Sequence, residues 1–274
     1  MNSANSIPEL YHTHPLTADA VLARLRREGK DLHAVTVFDL SAGEFPDICD
    51  MDHIGGIEYV EVLASLSTIT TQSRVIDVGC GLGGTARYLA AVHKCQVIGL
   101  DITPFRLKDA IRLTELLDLQ ALAQFVLADA IRIPFADDYF DVVIGQSAWS
   151  HIEDKLTLLK ECYRVLTPGG TIAFEDSLEG SRPCPEEYKR AAKRRNAELQ
   201  LVGVTADEYV RLLKAAGFTN ISFTDLYDDW IRWLERVYSS PMGQWPPEEE
   251  NAINELEMAR AGATSYGRFV AMKS

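Results

Sequence analysis

The stretch Val75-Ile-Asp-Val-Gly-Cys-Gly-Leu-Gly-Gly84 decides the fold. A short β-branched run leads into a glycine loop, and Gly84 to Val92 then carries apolar residues at helical spacing. Strand, glycine turn and helix form the opening unit of a doubly wound α/β sheet. Gly79, Gly81 and Gly84 also satisfy G-x-G-x-x-G, so a dinucleotide site, as in an NAD-dependent oxidoreductase, is one reading. Asp77 counts against it, because an acid two residues before the first glycine interrupts a strand that would otherwise continue apolar. No other stretch reads as a nicotinamide half-site.

The pattern repeats outward from this unit. Strands are expected at Arg74–Val78, Cys95–Leu100, Ala123–Ala128, Phe140–Gly145 and Thr171–Glu175, with helices at Gly84–Val92, Pro104–Leu117 and Lys155–Leu166. Buried β-branched runs separated by helices describe a parallel sheet covered on both faces. On the N-terminal side, Ala18–Arg27 and Ile57–Leu66 read as helices and residues 34–56 as loop, with Asp, Gly and Pro clustered. After Asp176 the regularity breaks. Helices are expected at Tyr188–Leu201, Ala206–Ala216, Asp229–Tyr238 and Glu248–Arg260, a turn-rich stop at Pro241–Pro247, and strands at Phe218–Leu226 and Tyr266–Met272. The organisation expected is an N-terminal lid or entrance segment over 1–56, a core over 57–176, a helical lid insertion over 177–202, and the rest of the core over 203–274 with a second lid at about 228–262.

Composition narrows the function. The chain has 274 residues, 27 Lys and Arg against 40 Asp and Glu, and a formal net charge of −13. That balance disfavours binding to a phosphate backbone, so no nucleic-acid partner is expected. The basic run Lys189 to Arg195 is local and reads as a solvated lid face. No apolar run nears the roughly 20 residues of a membrane span, and Met1 to Leu16 lacks a signal-peptide core. The five cysteines show no CxxC spacing, the usage of a reducing compartment, and a cytoplasmic location is expected. No HExxH, EF-hand or Cys/His ligand spacing occurs, and no metal is expected.

An acid ends each of three successive strands: Asp77, Asp101 and Asp129. One Asp before a helix is ordinarily an N-cap. Three of them beside a glycine loop suit a ligand with hydroxyls, amines and positive charge but no phosphate. Asp101 can accept from both hydroxyls of a ribose, and Asp129 can meet the amino group of an adenine.

At this point the chain resembles a known family. Val75 to Gly84, Gly99-Leu-Asp101, Ala128-Asp-Ala130, Phe135 to Asp141 and Arg164-Val-Leu-Thr-Pro-Gly-Gly170 are similar to the successive motifs of class I S-adenosylmethionine-dependent methyltransferases. The resemblance covers about residues 53–176 and, more loosely, the last strand. It implies an α/β fold, a Rossmann-like seven-stranded sheet with the last strand antiparallel and helical lid insertions. Asp52-His-Ile-Gly-Gly56 and Gly145-Gln-Ser-Ala-Trp-Ser-His-Ile-Glu-Asp-Lys155 resemble the small-molecule branch that includes sarcosine/dimethylglycine N-methyltransferase-like proteins. It further implies that Gly79 and Gly81 approach the methionine moiety, that Asp101 and Ile102 hold the ribose and flank the adenine, that Asp129 and Ala130 meet the adenine, and that Gln146 touches the methionine part. S-adenosyl-L-methionine would be the cofactor and S-adenosyl-L-homocysteine its product.

Transfer from a sulfonium is an in-line displacement in which the protein aligns a nucleophile and excludes water. The acceptor side is expected from the residues after the fourth strand, the lids and the N-terminal segment. Trp149 can present its ring face to a methylammonium, or else anchor its loop. His151 can take a proton, or else start a helix. His53 can line the cofactor entrance, or else is a turn residue before Gly55-Gly56, and Tyr11 with His12 and His14 can close over the cofactor, or else belong to a solvated polar tail. Gln146-Ser-Ala-Trp149 stands where methyltransferases of nucleobase or glutamine amino groups carry an Asn-Pro-Pro-Tyr-type motif. A small-molecule acceptor is therefore expected, an amine of the glycine, sarcosine or dimethylglycine type being the leading reading. O- or C-methylation of a secondary metabolite, including an isoprenoid, and a non-catalytic module that keeps the fold are the others. Oligomeric state is left open, a homodimer included.

Overall fold

A computed structural model describes residues 6–240 and 252–274. Seven strands form one sheet in the order β3-β2-β1-β4-β5-β7-β6. They are β1 (Arg74–Val78), β2 (Gln96–Asp101), β3 (Ala123–Leu127), β4 (Phe140–Gln146), β5 (Leu166–Glu179), β6 (Thr219–Asp225) and β7 (Thr264–Met272). The first five pair in parallel, and β7 runs antiparallel to both β5 and β6. This is the expected sheet.

The helices are α1 (Ile7–Tyr11), α2 (Ala18–Arg27), α3 (Val37–Leu40), α4 (Gly56–Leu66), α5 (Gly84–Val92), α6 (Pro104–Leu116), α7 (Lys155–Val165), α8 (Glu186–Glu198), α9 (Ala206–Ala216), α10 (Tyr227–Ser239) and α11 (Glu255–Arg260). The β1 run Val75, Ile76 and Val78 is buried on both sheet faces, as a central parallel strand demands. One face packs on α7 and α9 through Leu158, Leu159, Tyr209 and Leu213. The other packs on α4 and α5 through Val60, Leu63 and Leu89.

Several expectations need correction. β5 continues to Glu179 rather than ending at Glu175, because β7 pairs with it along the register Thr171↔Met272 to Glu179↔Thr264. The loop expected over 34–56 contains α3, started by a Thr36 capping box with Asp39. α1 had no sequence expectation; it begins with a Ser6–Glu9 capping box and a proline at its start. The helix expected at Glu248–Arg260 starts at Glu255 among the described residues, capped by Asn254, while the stop at 241–247 lies outside them. No described helix is long and apolar enough to cross a membrane.

The segment over residues 6–50 is tied to the core by a buried ion pair. Arg87 on α5 donates from Nη2 to Asp50 Oδ2 at 2.7 Å, and both side chains are fully buried. Arg87 also donates to the Ala110 carbonyl at 3.0 Å, and Ser41 donates to Asp50 Oδ1 at 2.7 Å. Each buried charge is thus hydrogen-bonded on several sides, the condition under which such a pair holds.

Candidate active site

The strand order reverses between β1 and β4, and open α/β sheets bind ligands at such a switch point, beyond the carboxyl ends of the strands. A cavity of about 410 Å³ opens there. Gly79 leaves β1 with φ +83°, and its N–H and that of Cys80 donate to the Leu100 carbonyl at 2.7 and 3.0 Å. A Cβ on Gly79 would fall 2.5 Å from Ala148 Cβ, so only glycine lets the loop pass this close to the β4 exit.

Asp101 pins the loop. Its Oδ2 accepts from Gly81 N–H at 2.8 Å and its Oδ1 from Thr103 N–H at 2.8 Å. Asp129 Oδ1 accepts from Ile131 N–H at 3.1 Å. Asp77 differs from both. It is buried, its Oδ2 has no hydrogen-bond partner, and burial together with the Asp101 charge pushes its carboxyl up to about 7. Asp77, Gly79, Gly81, Asp101, Ile102 and Asp129 all line the cavity, with Ala130 and Gln146.

Beneath the cavity runs a polar chain. Thr85 Oγ1 donates to Gln146 Oε1 at 2.8 Å, and Gln146 Nε2 donates to Glu175 Oε2 at 3.1 Å. Arg268 on β7 donates from Nε to Glu175 Oε1 at 2.6 Å. Burial pushes the Glu175 carboxyl up to about 7 even against the pull of Arg268. His53 reaches this chain through Thr85 at 3.3 Å, and burial lowers its imidazole below the usual range.

A second chamber of about 170 Å³ adjoins the first. Tyr11, Asp52, His53, Ser147 and His151 face both and form a shared wall. Tyr11 Oη and His151 Nε2 are 3.1 Å apart within it. Burial lowers the His151 imidazole to about 4, with Lys155 adding to the effect, and raises the Tyr11 hydroxyl well above its ordinary value. At neutral pH the pair is therefore an uncharged imidazole accepting from a protonated phenol. Burial alone would raise the Asp52 carboxyl; His14 at 3.4 Å and Arg106 at 2.6 Å outweigh it and hold it down.

The sequence expectations divide here. His151 and Tyr11 face the shared wall, His53 lines both spaces, and His14 lines the second. Trp149 does not present its ring face to either. It is 1% exposed, its Nε1 donates to the Val78 carbonyl at 2.9 Å, and its ring stacks on Phe174 at 4.3 Å. The one-turn 3₁₀ segment Trp149–His151 turns the indole into the core and the imidazole outward. Thr85, Glu175, Arg106, Phe45, Trp230, Trp233 and Tyr266 had no sequence signal. They enter through packing between distant segments, and only the register pairing Tyr266 with Ser177 would have pointed to one of them.

Residues 76–174 match the family described as a methyltransferase domain. The matched stretch runs from β1 into β5 and takes in the glycine loop, Asp101 and Asp129. Among curated relatives, phosphoethanolamine N-methyltransferase 1 of Zea mays is 27% identical over 231 residues, 80% of this chain and 45% of that protein. Chloroplastic tocopherol O-methyltransferase of Arabidopsis thaliana is 33% identical over 191 residues, 66% of this chain and 50% of that protein. The chain thus spans about half the length of these relatives. Among solved structures, Haemonchus contortus phosphoethanolamine N-methyltransferase 2, in complex with phosphomonomethylethanolamine and S-adenosylhomocysteine, superposes with a TM-score of 0.75. It is 20% identical and covers 98% of this chain and 60% of that one, a likeness of fold.

Proposed function

We propose that this chain transfers a methyl group from S-adenosyl-L-methionine to a small-molecule acceptor. The observation that carries the reading is the shared wall: a carboxylate-lined cleft for a nucleoside and a separate chamber for an acceptor meet at the Tyr11–His151 pair. The cleft suits the cofactor. Asp77 holds a buried carboxylate oxygen without a partner, suited to an ammonium. In this reading Asp101 and Ile102 hold the ribose side, Asp129 and Ala130 the adenine, and Gly79, Gly81, Asp77 and Gln146 the methionine part. When bound, the sulfonium supplies an activated methyl, so no covalent enzyme intermediate is needed.

The protein's own residues do the rest. The acceptor's proton passes to Tyr11 Oη as the phenol passes its own to the neutral His151 Nε2, the hydrogen bond between them keeping the imidazole in line. α1 brings Ile7 and Tyr11 over the cleft and keeps water out. Residues 1–56 act as the entrance lid, and α8, α10 and α11 cover the acceptor side.

Titration calorimetry with S-adenosylhomocysteine and, separately, NAD tests the reading. Saturable heat is expected with the first alone. Heat with NAD and none with the thioether nucleoside would instead place the chain among oxidoreductases.

A further inference from the structure

We propose that the acceptor is an amine bearing neither phosphate nor carboxylate, and that the rings around the second chamber hold its methylammonium product. This rests on the methyl-transfer reading above.

Rings from distant parts of the chain enclose that chamber. Tyr11 stacks on His14 at 5.4 Å, His14 lies 6.0 Å from Phe45, and Phe45 lies 6.2 Å from Trp233. Trp233 stacks on Trp230 at 5.2 Å, and Trp230 on Tyr266 at 5.6 Å. The His151 ring meets Tyr11 edge-on at 5.6 Å at the other end of the run. All of these rings line the chamber. Cations are drawn to ring faces, and a methylammonium would meet those that the run leaves uncovered, Trp230 being stacked on both of its own.

Asp52 and Glu255 are the ionisable acids on the wall, Asp52 being paired with Arg106 at 2.6 Å, and no Lys or Arg lines the chamber among the described residues. Burial keeps His14 and His151 uncharged at neutral pH. Arg106 sits on the cofactor side, 5.0 Å over the Tyr11 ring and hydrogen-bonded to Asp52. Lys189 and Lys193 line a different cleft, across a partition that includes Ser177, Leu201 and Trp230. An anion in the chamber would thus be desolvated with no Lys or Arg on the described wall to pair with it. The phosphate of phosphoethanolamine and the carboxylate of glycine or sarcosine are disfavoured for this reason.

The step balances without further reagents. The ammonium passes a proton to Tyr11 Oη as the phenol passes its own to His151 Nε2, made easier because burial disfavours the charged form of the amine too. The nitrogen lone pair forms the new C–N bond as the C–S bond breaks, and that electron pair returns to sulfur, leaving the neutral thioether.

The test uses the chain saturated with S-adenosylhomocysteine, titrated with tetramethylammonium chloride or sodium phosphate while tryptophan fluorescence is read. Saturable quenching by tetramethylammonium alone is expected. In Trp233→Leu it should weaken at least tenfold, with S-adenosylhomocysteine affinity unchanged. Leu199→Lys, which adds a cation to the chamber wall, should do the same. Turnover is then compared in matched pairs, ethanolamine against phosphoethanolamine and phenethylamine against phenylalanine, with a phenol alongside. Mass spectrometry is expected to show a methyl gain on the acid-free amine, at least tenfold faster than on its partner. Faster methylation of the acidic partners, methylation of the phenol alone, or no tetramethylammonium response while the thioether nucleoside still binds would overturn the proposal. Loss of nucleoside binding itself would instead overturn the methyl-transfer reading beneath it.

Discussion

The cofactor cleft and the acceptor chamber are built in opposite ways. The cleft is made from consecutive sequence: one strand, one glycine loop, and the acids at the ends of β1 and β2 and just after β3, all placed by the parallel register Val78↔Leu100 and Asp101↔Leu127. The chamber draws on α1, the segment before α4, the β4 exit, α10 and β7. Backbone hydrogen bonds position the first, while side-chain packing between segments far apart in sequence positions the second. A cleft made that way can stay constant while the chamber beside it changes its occupant. It also follows that the chamber depends on whatever fastens those segments to the sheet.

The largest effect should come from breaking that fastening. Asp50→Ala strands the Arg87 charge in a fully buried site and should cost about 3–5 kcal/mol of stability. Chemical denaturation measures this, and a cost under 1 kcal/mol would mean that the N-terminal segment is held elsewhere. A smaller and more local effect is expected from His151→Asn, which removes the proton acceptor from the shared wall. Turnover should fall about 100-fold while calorimetry shows S-adenosylhomocysteine affinity within twofold of the unaltered chain. Equal losses in both would show that the wall is one site rather than two.

The smallest effect concerns pH. Asp77 is pushed up to about 7 in the fold, so between its ordinary value of 3.8 and 7 the folded chain holds a proton that the unfolded chain has lost. The stability this contributes is complete at low pH and is lost as pH rises towards 7. His14 and His151 act in the opposite sense. Lowered from 6.5 to about 4, they make the folded chain bind fewer protons in that window, so their contribution is present above 6.5 and lost as pH falls towards 4. Asp77→Asn removes one of the falling contributions. Its Tm should therefore rise more steeply between pH 5 and 7 than that of the unaltered chain, and an equal or shallower slope would contradict the buried, unpartnered state of this carboxyl.

How much was legible follows from the same contrast. Asp77, Gly79, Asp101 and Asp129 could be read because each belongs to a run whose period announces a strand and whose end is marked by glycine or acid. The C-terminal strand was legible for the same reason, its antiparallel direction only through the family resemblance, while its partner β5 was cut five residues short at its start and four at its end. Ser177 and Leu178 look like loop until β7 is laid beside them. Trp149 and His151 show the limit. Two residues apart, both were expected to face the acceptor, and one turn of 3₁₀ helix sends the indole to Phe174 and the imidazole to Tyr11. Trp230, Trp233 and Phe45 carry an ordinary amphipathic pattern in sequence. Only the fold shows that these rings, packed in two small core clusters, also border one chamber.

A crystal structure of the chain with S-adenosylhomocysteine bound tests the central claim most directly. The account predicts the ribose on Asp101, the adenine beside Asp129 and Ala130, and the sulfur turned towards Tyr11 and His151. A nucleoside seated outside the glycine loop, or a sulfur facing away from that pair, would contradict it.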